Sequence, residues 1–571
     1  MASHLWCVLA CLLVATTVAN MYDVVLPHRK PPSKCMHGCA LWSDLASDGC
    51  TKKQADVDAK WSKGKAPVNA GRNCAMPSND PGPFGDWCYC KGSNNADWDY
   101  CLSPDNSSPE QINLQMVDPT MVTVNFVTFT PPATAAPSGQ IGSDPSLKDA
   151  KTVGGVTHKY VETGGLHREY YMHFVRFGNL TERTRFYYRV AGPNGAWSDV
   201  LSFKSLYSSG LTKFAVFGDM GVYSYNNMGN MYDDMQSGLI DAVVHLGDHA
   251  YNIAQEDGRR GDCYMNGYQP LLSSMPWIPV IGNHEYYEGD EFQRFLNMTT
   301  GVIGSSSSNS TSALNAMLTL STLHGRAAKK THYKKVNGAH SSTSRFYSED
   351  IGIVHFIGLD FSPYYFADTQ RQWKAPQLEW FEADLKSVDR AKTPWVIVGG
   401  HFPLYCSSDT LDERHDEGLL PDADIGSFKG CTGTGEGTVE ESRGDLEPLM
   451  LKYGVDMFVA GHEHDYESIW PVAKGKLVAE TFVNPPAPVH FVTGAGGPPG
   501  MDHFGDAGPW DRKRMNLPSY GRIIAYNTTT LTFQQVFNVN STLFDEVTIT
   551  KDTHGPYTTT LAKFYPDEIV V

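Results

Sequence analysis

The sequence predicts a multidomain chain in which a disulfide-rich module and a β-sandwich precede an α/β domain. Three observations predict it. Seven cysteines crowd between Cys35 and Cys101, alternating apolar runs fill residues 103–207, and beyond Leu211 short buried-strand runs each end in a glycine-containing polar cluster. At about 100–200 residues per domain, a chain of 571 residues has room for two to four cores. Its formal charge of −17 argues against a nucleic-acid scaffold, which needs a basic footprint. The 41% hydrophobic and 19% charged content excludes a disordered chain.

Residues 1–19 carry an apolar run from Leu5 to Val18 that closes on the small residues Thr17, Val18 and Ala19, the pattern of a removable signal peptide. The run is shorter than the ~20 apolar residues of a spanning helix, and no later stretch reaches that length. Entry into the secretory pathway is therefore expected. The chain is read as secreted, with vacuolar and lysosomal destinations left open, and it ends in no retention signal of the KDEL type.

Residues 20–102 have little periodic hydrophobicity and contain Cys35, Cys39, Cys50, Cys74, Cys88, Cys90 and Cys101. In an oxidising compartment such density implies disulfides that compensate for a small core. A zinc knuckle is the alternative, although no usual paired-ligand spacing occurs there. The remaining cysteines after signal removal are Cys263, Cys406 and Cys431, so the odd number in the module requires a bridge to the rest of the chain, a free thiol or an intermolecular bond. The module could also bind a glycan or protein partner. Sequons at Asn106, Asn179, Asn297, Asn309, Asn527 and Asn540 make N-glycosylation expected in a secreted chain.

From 103 to 207, the runs Met121–Phe129, Arg168–Phe177 and Arg185–Val190 alternate between turn-forming residues with no helical segment, which reads as a β-sandwich. From 208 to 571 the strand runs are 213–217, 241–246, 277–281, 353–359, 395–398, 456–460 and 489–493. Between two of them Gln377–Val388 places Leu378, Trp380, Phe381, Leu385 and Val388 at helical spacing. Strands separated by helices predict an α/β domain whose functional loops lie beyond the strand C-termini. The serine-rich stretch 301–344 reads as a surface insertion, and the alternating residues after Leu531 as closing strands.

The chemistry lies in the turns at the strand ends: Gly218-Asp-Met-Gly221, Gly247-Asp-His-Ala-Tyr251, Gly282-Asn-His-Glu285, Val398-Gly-Gly-His401 and Gly461-His-Glu-His464. One Gly-Asp is an ordinary turn. Five such turns in order, delivering carboxylate, phenol, amide and imidazole, form a metal-ligand set. Carboxylate and phenolate suit a hard, highly charged cation, whereas imidazole and amide oxygen suit a borderline divalent one. A bridging aspartate then gives the ~3.5–4 Å spacing of a two-metal hydrolytic site.

These blocks, with tyrosine in the second, resemble the purple acid phosphatases, a branch of the calcineurin-like metallophosphoesterases, over roughly residues 104–555. The sandwich block ending Ala196-Trp197-Ser198, the Thr393–Pro403 segment, Val489–Gly497 and Tyr520–Arg522 belong to the same resemblance. It implies a fibronectin-III-like N-terminal sandwich and a catalytic α/β domain of two mixed β-sheets flanked by helices. Carried over by position, it makes Asp219, Tyr251 and His464 ligands of Fe3+, and Asn283, His401 and His462 ligands of a divalent metal (Zn2+, Fe2+ or Mn2+), with Asp248 bridging. His284 corresponds to a phosphate-contacting histidine. Plant members carry further histidines after the fourth block, where this chain has only His415, a candidate for leaving-group protonation or else a surface histidine. Cys406 and Cys431 flank this loop and are expected to pair.

The function so implied is hydrolysis of phosphate monoesters, small-molecule or phosphoprotein, by metal-activated hydroxide without a phosphoenzyme. Two rivals remain: a zinc or manganese phosphodiesterase or nucleotide pyrophosphatase, and an extracellular binding protein acting through the cysteine-rich module.

Overall fold

The computed structural model describes residues 107–568, apart from 133, 164–166, 222–225, 256–257, 288, 300–342 and 410–438, and two short strands, Trp87–Tyr89 and Trp98–Tyr100, which pair antiparallel. The expected signal peptide, the rest of the cysteine-rich module, the serine-rich insertion, Asn106, Asn309, His415 and Cys431 lie outside the described residues.

The N-terminal strands are β1 (Glu110–Asp118), β2 (Met121–Thr128), β3 (Ser138–Gly142), β4 (Lys151–Gly154), β5 (Val156–Val161), β6 (Glu169–Phe177), β7 (Arg185–Ala191) and β8 (Leu201–Lys204). Strands β8-β7-β3-β4 form one sheet. Their inner face packs Tyr188, Val190 and Phe203 against Leu114, Val124, Phe126 and Val175 of the facing layer β1-β2-β6-β5. Alternation along these strands places the apolar side chains in that core, as expected of a sandwich.

The catalytic region contributes β9 (Thr212–Phe217), β10 (Ala242–His245), β11 (Pro276–Pro279), β12 (Tyr347–Ile351), β13 (Val354–Leu359), β14 (Trp395–Gly400), β15 (Met457–Ala460), β16 (Tyr466–Ile469), β17 (Val489–Thr493), β18 (Asp511–Met515), β19 (Ser519–Ala525), β20 (Thr530–Phe537) and β21 (Leu543–Thr550). The second sheet runs β12-β13-β14-β15-β17-β16-β18. The first runs β21-β20-β19-β9-β10-β11 and then continues without a break into β1-β2-β6-β5. The join is parallel pairing of β11 with β1, Pro276 opposite Leu114 and Trp277 opposite Gln115. One layer of the sandwich and one layer of the catalytic fold are thus a single ten-stranded sheet.

Strands β9, β10 and β11 are mutually parallel, as are β13, β14, β15 and β17. Their near-continuous apolar sequences follow from burial on both faces: Val216, Val244, Leu246 and Ile278 of one sheet meet Phe356, Ile397, Val459 and Phe491 of the other. The helix expected near Gln377 spans Lys374–Ser387. Among the described residues no helix is long and apolar enough to cross a membrane. Of the described sequon asparagines, Asn179, Asn527 and Asn540 are exposed. Asn297 is half-buried in the helix Gln293–Met298 and donates through Nδ2 to the Gln293 carbonyl at 2.7 Å.

Candidate metal centre

All five glycine turns emerge at C-terminal ends of parallel strands: Asp219 beyond β9, Asp248 and Tyr251 beyond β10, Asn283 beyond β11, His401 beyond β14, and His462 and His464 beyond β15. The two sheets therefore deliver their side chains to one end of the stack, where the turns approach closely. A Cβ on Gly218 would lie 2.9 Å from Gly461 Cα, and one on Gly247 would lie 2.6 Å from His401 Nδ1 and 2.7 Å from Gly282 Cα. Gly247 also has φ of +95°, a region open to glycine at no steric cost. Gly247→Ala is expected to lower Tm and metal retention together, by the roughly 1–3 kcal/mol of an overpacked, strained site. An unchanged Tm would contradict this reading of the turn.

Four of the converging residues themselves hold left-handed backbone: Asp219 (φ 61°), Asp248 (54°), Tyr251 (55°) and His462 (70°). Such conformations cost about 1–3 kcal/mol each for non-glycine residues and persist where surrounding structure enforces them. Here the enforcement is visible. Glu285, fully buried, accepts from the backbone N–H of Gly282 (2.8 Å), Asp248 (3.1 Å) and His249 (2.9 Å), tying the second and third turns together. Asp219 Oδ2 accepts from His462 N at 2.7 Å, and Asp248 Oδ1 from His284 N at 2.9 Å. Asp502 accepts from His464 N at 2.5 Å.

The side chains form two linked groups. In one, Tyr251 Oη lies 2.7 Å from His464 Nε2 and 3.3 Å from Asp219 Oδ1. In the other, Asn283 Oδ1 lies 2.8 Å from His401 Nε2 and 3.2 Å from His462 Nδ1, while Asp248 Oδ2 stands 3.2 Å from His401 Nε2. Ligand atoms of Asp248, His401 and His462 all fall within 4.8 Å of one another. His401 also reaches Asp219 Oδ1 at 3.9 Å, linking the groups.

The arrangement fits bound cations. His401 Nδ1 donates to the Leu246 carbonyl at 2.7 Å, so the neutral ring directs its Nε2 lone pair at the oxygens of Asn283 and Asp248. Lone pairs so placed call for positive charge between them. The same preference for positive charge acts on the ring itself: although burial opposes it, Asp248 and Asp219 push His401 up to about 9. Burial raises Asp219 well above the usual carboxylate range. Burial acts the same way on Asp248, but the charges of His401 and His284 outweigh it and hold that carboxyl far below its ordinary value.

All seven sequence-predicted metal ligands thus meet at one place, and His284 stands beside them with Nδ1 2.7 Å from Asn252 Oδ1 and Nε2 3.8 Å from Asp248 Oδ2. Burial lowers the His284 pKa. Glu285, Asn252 and Asp502 were not singled out in the sequence. Glu285 sits inside a quoted motif, but its staple role depends on backbone N–H groups from another turn. Cys406 is disulfide-bonded, and its partner is not among the residues whose side chains are described.

Comparison with known proteins agrees with this geometry. The calcineurin-like phosphoesterase family model matches residues 212–466, the purple acid phosphatase N-terminal domain model residues 109–205, and the iron/zinc purple acid phosphatase-like protein C model residues 487–546. Acid phosphatase type 7 of Mus musculus is 30% identical over 444 residues, covering 75% of this chain and 87% of the relative. The chain belongs to the purple acid phosphatase family. Within that family, acid phosphatase type 7 of Homo sapiens is 29% identical over 469 residues (80% of this chain, 93% of the relative). Purple acid phosphatase 22 of Arabidopsis thaliana is 27% identical over 392 residues (68% and 72%). The purple acid phosphatase PPD1 of yellow lupin (Lupinus luteus) seeds shares the fold at a TM-score of 0.56 and 20% identity, covering 81% of this chain and 78% of its own. The family assignment makes the chain a metallophosphoesterase, and purple acid phosphatases carry a binuclear metal centre.

Proposed function

We propose that this protein is a secreted, glycosylated acid phosphatase that hydrolyses phosphate monoesters, with Asp219, Tyr251 and His464 holding Fe3+, Asn283, His401 and His462 holding a divalent ion (Zn2+, Fe2+ or Mn2+), and Asp248 bridging. The observation that carries the proposal is that Tyr251, His464 and Asp219 form one group and Asp248, Asn283, His401 and His462 a second, joined by the 3.9 Å approach of His401 to Asp219. Bound there, the two ions would lower the pKa of a coordinated water and neutralise phosphate charge.

The chain's own groups do the rest. The Leu246 carbonyl fixes the His401 tautomer, and Glu285 sets the spacing of the Asp248 and Asn283 turns. Asn252 orients His284 through Nδ1, leaving Nε2 on the Asp248 side to donate a proton to the leaving oxygen when the ring is charged. Secretion and glycosylation are supported by the apolar N-terminal run and by the exposed Asn179, Asn527 and Asn540.

The test is a visible absorption spectrum of the purified, oxidised protein. A tyrosinate-to-Fe3+ charge-transfer band is expected, and Tyr251→Phe should abolish it. A colourless, metal-loaded and active wild-type protein would refute the ferric assignment and favour the zinc or manganese phosphodiesterase reading.

A further inference from the structure

One face of the sandwich sheet β8-β7-β3-β4 packs on the core, and the other carries a charge opposite to that of the chain. The four strands contain Lys151, Arg185, Arg189 and Lys204 and no aspartate or glutamate. The whole chain has 63 acidic residues against 46 basic ones. Tyr188, Val190 and Phe203 point into the core, so by alternation Arg185, Tyr187 and Arg189 of β7 and Ser202 and Lys204 of β8 point outward. The register arranges them in rows: Arg185 lies opposite Lys204, Tyr187 opposite Ser202, and Arg189 opposite Gln140, which in turn faces Thr152. All seven of these side chains are exposed or half-buried.

The two arginines are held in place but not neutralised. Arg189 Nε donates to Gln140 Oε1 at 2.9 Å, and its guanidinium lies 4.5 Å from the Trp197 ring centroid. Arg185 donates to Ser202 Oγ at 3.2 Å. Among the described residues neither arginine forms an ion pair, and Lys204 meets Asp241 only at 3.7 Å. Four residues apart on one strand, Arg185 and Arg189 stand about 13 Å from each other along a straight line.

We infer that this face binds a linear acidic polysaccharide, a chain of carboxylate-bearing sugars lying along β7. The inference goes beyond the phosphatase reading, because it anchors the catalytic region to a polyanion without using the metal centre. The planar guanidinium fork matches a carboxylate bidentately. Between and beside the arginines, Tyr187, Gln140, Ser202 and Thr152 supply the hydroxyl and amide groups that sugar hydroxyls pair with. A flat sheet suits an extended polymer, whereas compact small ligands occupy concave pockets. Tyr187 is the only aromatic in these rows, so they lack the apolar centre that a protein interface desolvates. The net negative charge elsewhere on the chain is screened beyond roughly 8 Å at physiological ionic strength, so the local basic face decides the contact.

The test is binding of the full chain to polygalacturonate and to its methyl-esterified form, which keeps the sugar backbone and removes the charge. The charged polymer is expected to bind about tenfold or more tightly than the ester, and less tightly as salt is raised. The double variant Arg185→Ala with Arg189→Ala should weaken that binding about tenfold while leaving kcat/KM for glycerol 2-phosphate unchanged. Arg185→Gln alone gives up only the 3.2 Å bond to Ser202 at an exposed position, and should weaken binding about threefold at an unchanged Tm. No binding of polygalacturonate, equal binding of its ester, or affinity unchanged in both variants would overturn the inference. Binding to phosphatidylserine vesicles but not to polygalacturonate would overturn it in favour of a membrane surface. Each of these outcomes is independent of whether the metal centre hydrolyses monoesters.

Discussion

Asp248→Asn is expected to abolish metal binding and phosphatase activity together, with a loss in kcat/KM of about a thousandfold or more. Asparagine is the informative choice because it keeps the shape. The backbone at 248 has φ of 54°, a conformation asparagine tolerates better than most residues, and its side-chain oxygen can still accept from His284 N as Asp248 Oδ1 does at 2.9 Å. The Asp248 N–H bond to Glu285 at 3.1 Å also survives. What disappears is the negative charge that stands 3.2 Å from His401 Nε2, and with it the carboxylate proposed to bridge the two ions. A metal centre contributes several kcal/mol to transition-state stabilisation, and each 1.36 kcal/mol is tenfold in rate, so losing about 4 kcal/mol gives the expected figure. Metal analysis alongside kinetics decides the matter: full activity with normal metal content would contradict the bridging role.

The second large effect concerns stability rather than chemistry. At the seam between sandwich and catalytic fold, Tyr160 Oη donates to Asp290 Oδ1 at 2.6 Å and contacts Glu162 Oε1 at 3.2 Å. Arg294 pairs with Asp262 at 2.7 Å and Glu162 at 3.5 Å, and Arg168 with Asp262 at 2.8 Å. Three carboxyls thus face two guanidinium groups. Burial first, and the Glu162 charge second, push Asp290 up to about 7. A carboxyl whose pKa is higher folded than unfolded favours the fold most below its unfolded value, near 4, and that contribution is lost as pH rises through 7. Over roughly three pH units the loss amounts to about 4 kcal/mol. Denaturant unfolding of the wild type at pH 4.5 to 7.5 should therefore show stability falling with pH, and Asp290→Asn should flatten that slope. Asparagine has a single accepting oxygen, so it keeps the bond from Arg294 N, which Asp290 Oδ2 accepts at 2.9 Å, only by turning its amide NH2 towards Tyr160 Oη. Parallel slopes in the two proteins would show that Asp290 does not carry the proton.

Much of the catalytic region was legible in the sequence because its signals are local. A buried strand such as Lys213–Phe217 succeeded at once by Gly-Asp announces both the strand and the turn, and repetition of that pairing at Gly247, Gly282, Gly400 and Gly461 announces a shared destination. The continuation of the catalytic sheet into the sandwich was not legible. It depends on Trp277 lying opposite Gln115 across more than a hundred intervening residues, and β1 has the same alternating texture whether it ends a sheet or extends one. The staple made by Glu285 escaped for a related reason, since its partners at Asp248 and His249 are backbone N–H groups that every residue but proline carries.

The uninterrupted ten-stranded sheet also bears on how the chain reaches its native state. Strand β9 pairs on one side with β10, close in sequence, and on the other with β19, whose Ala525 lies opposite Thr212. During synthesis the inner strand of the sheet is thus a bare edge until some three hundred further residues have left the ribosome. An unpaired apolar edge is a template for pairing with other chains. High contact order of this kind slows folding, so that edge stays open to other chains until the last strands are made.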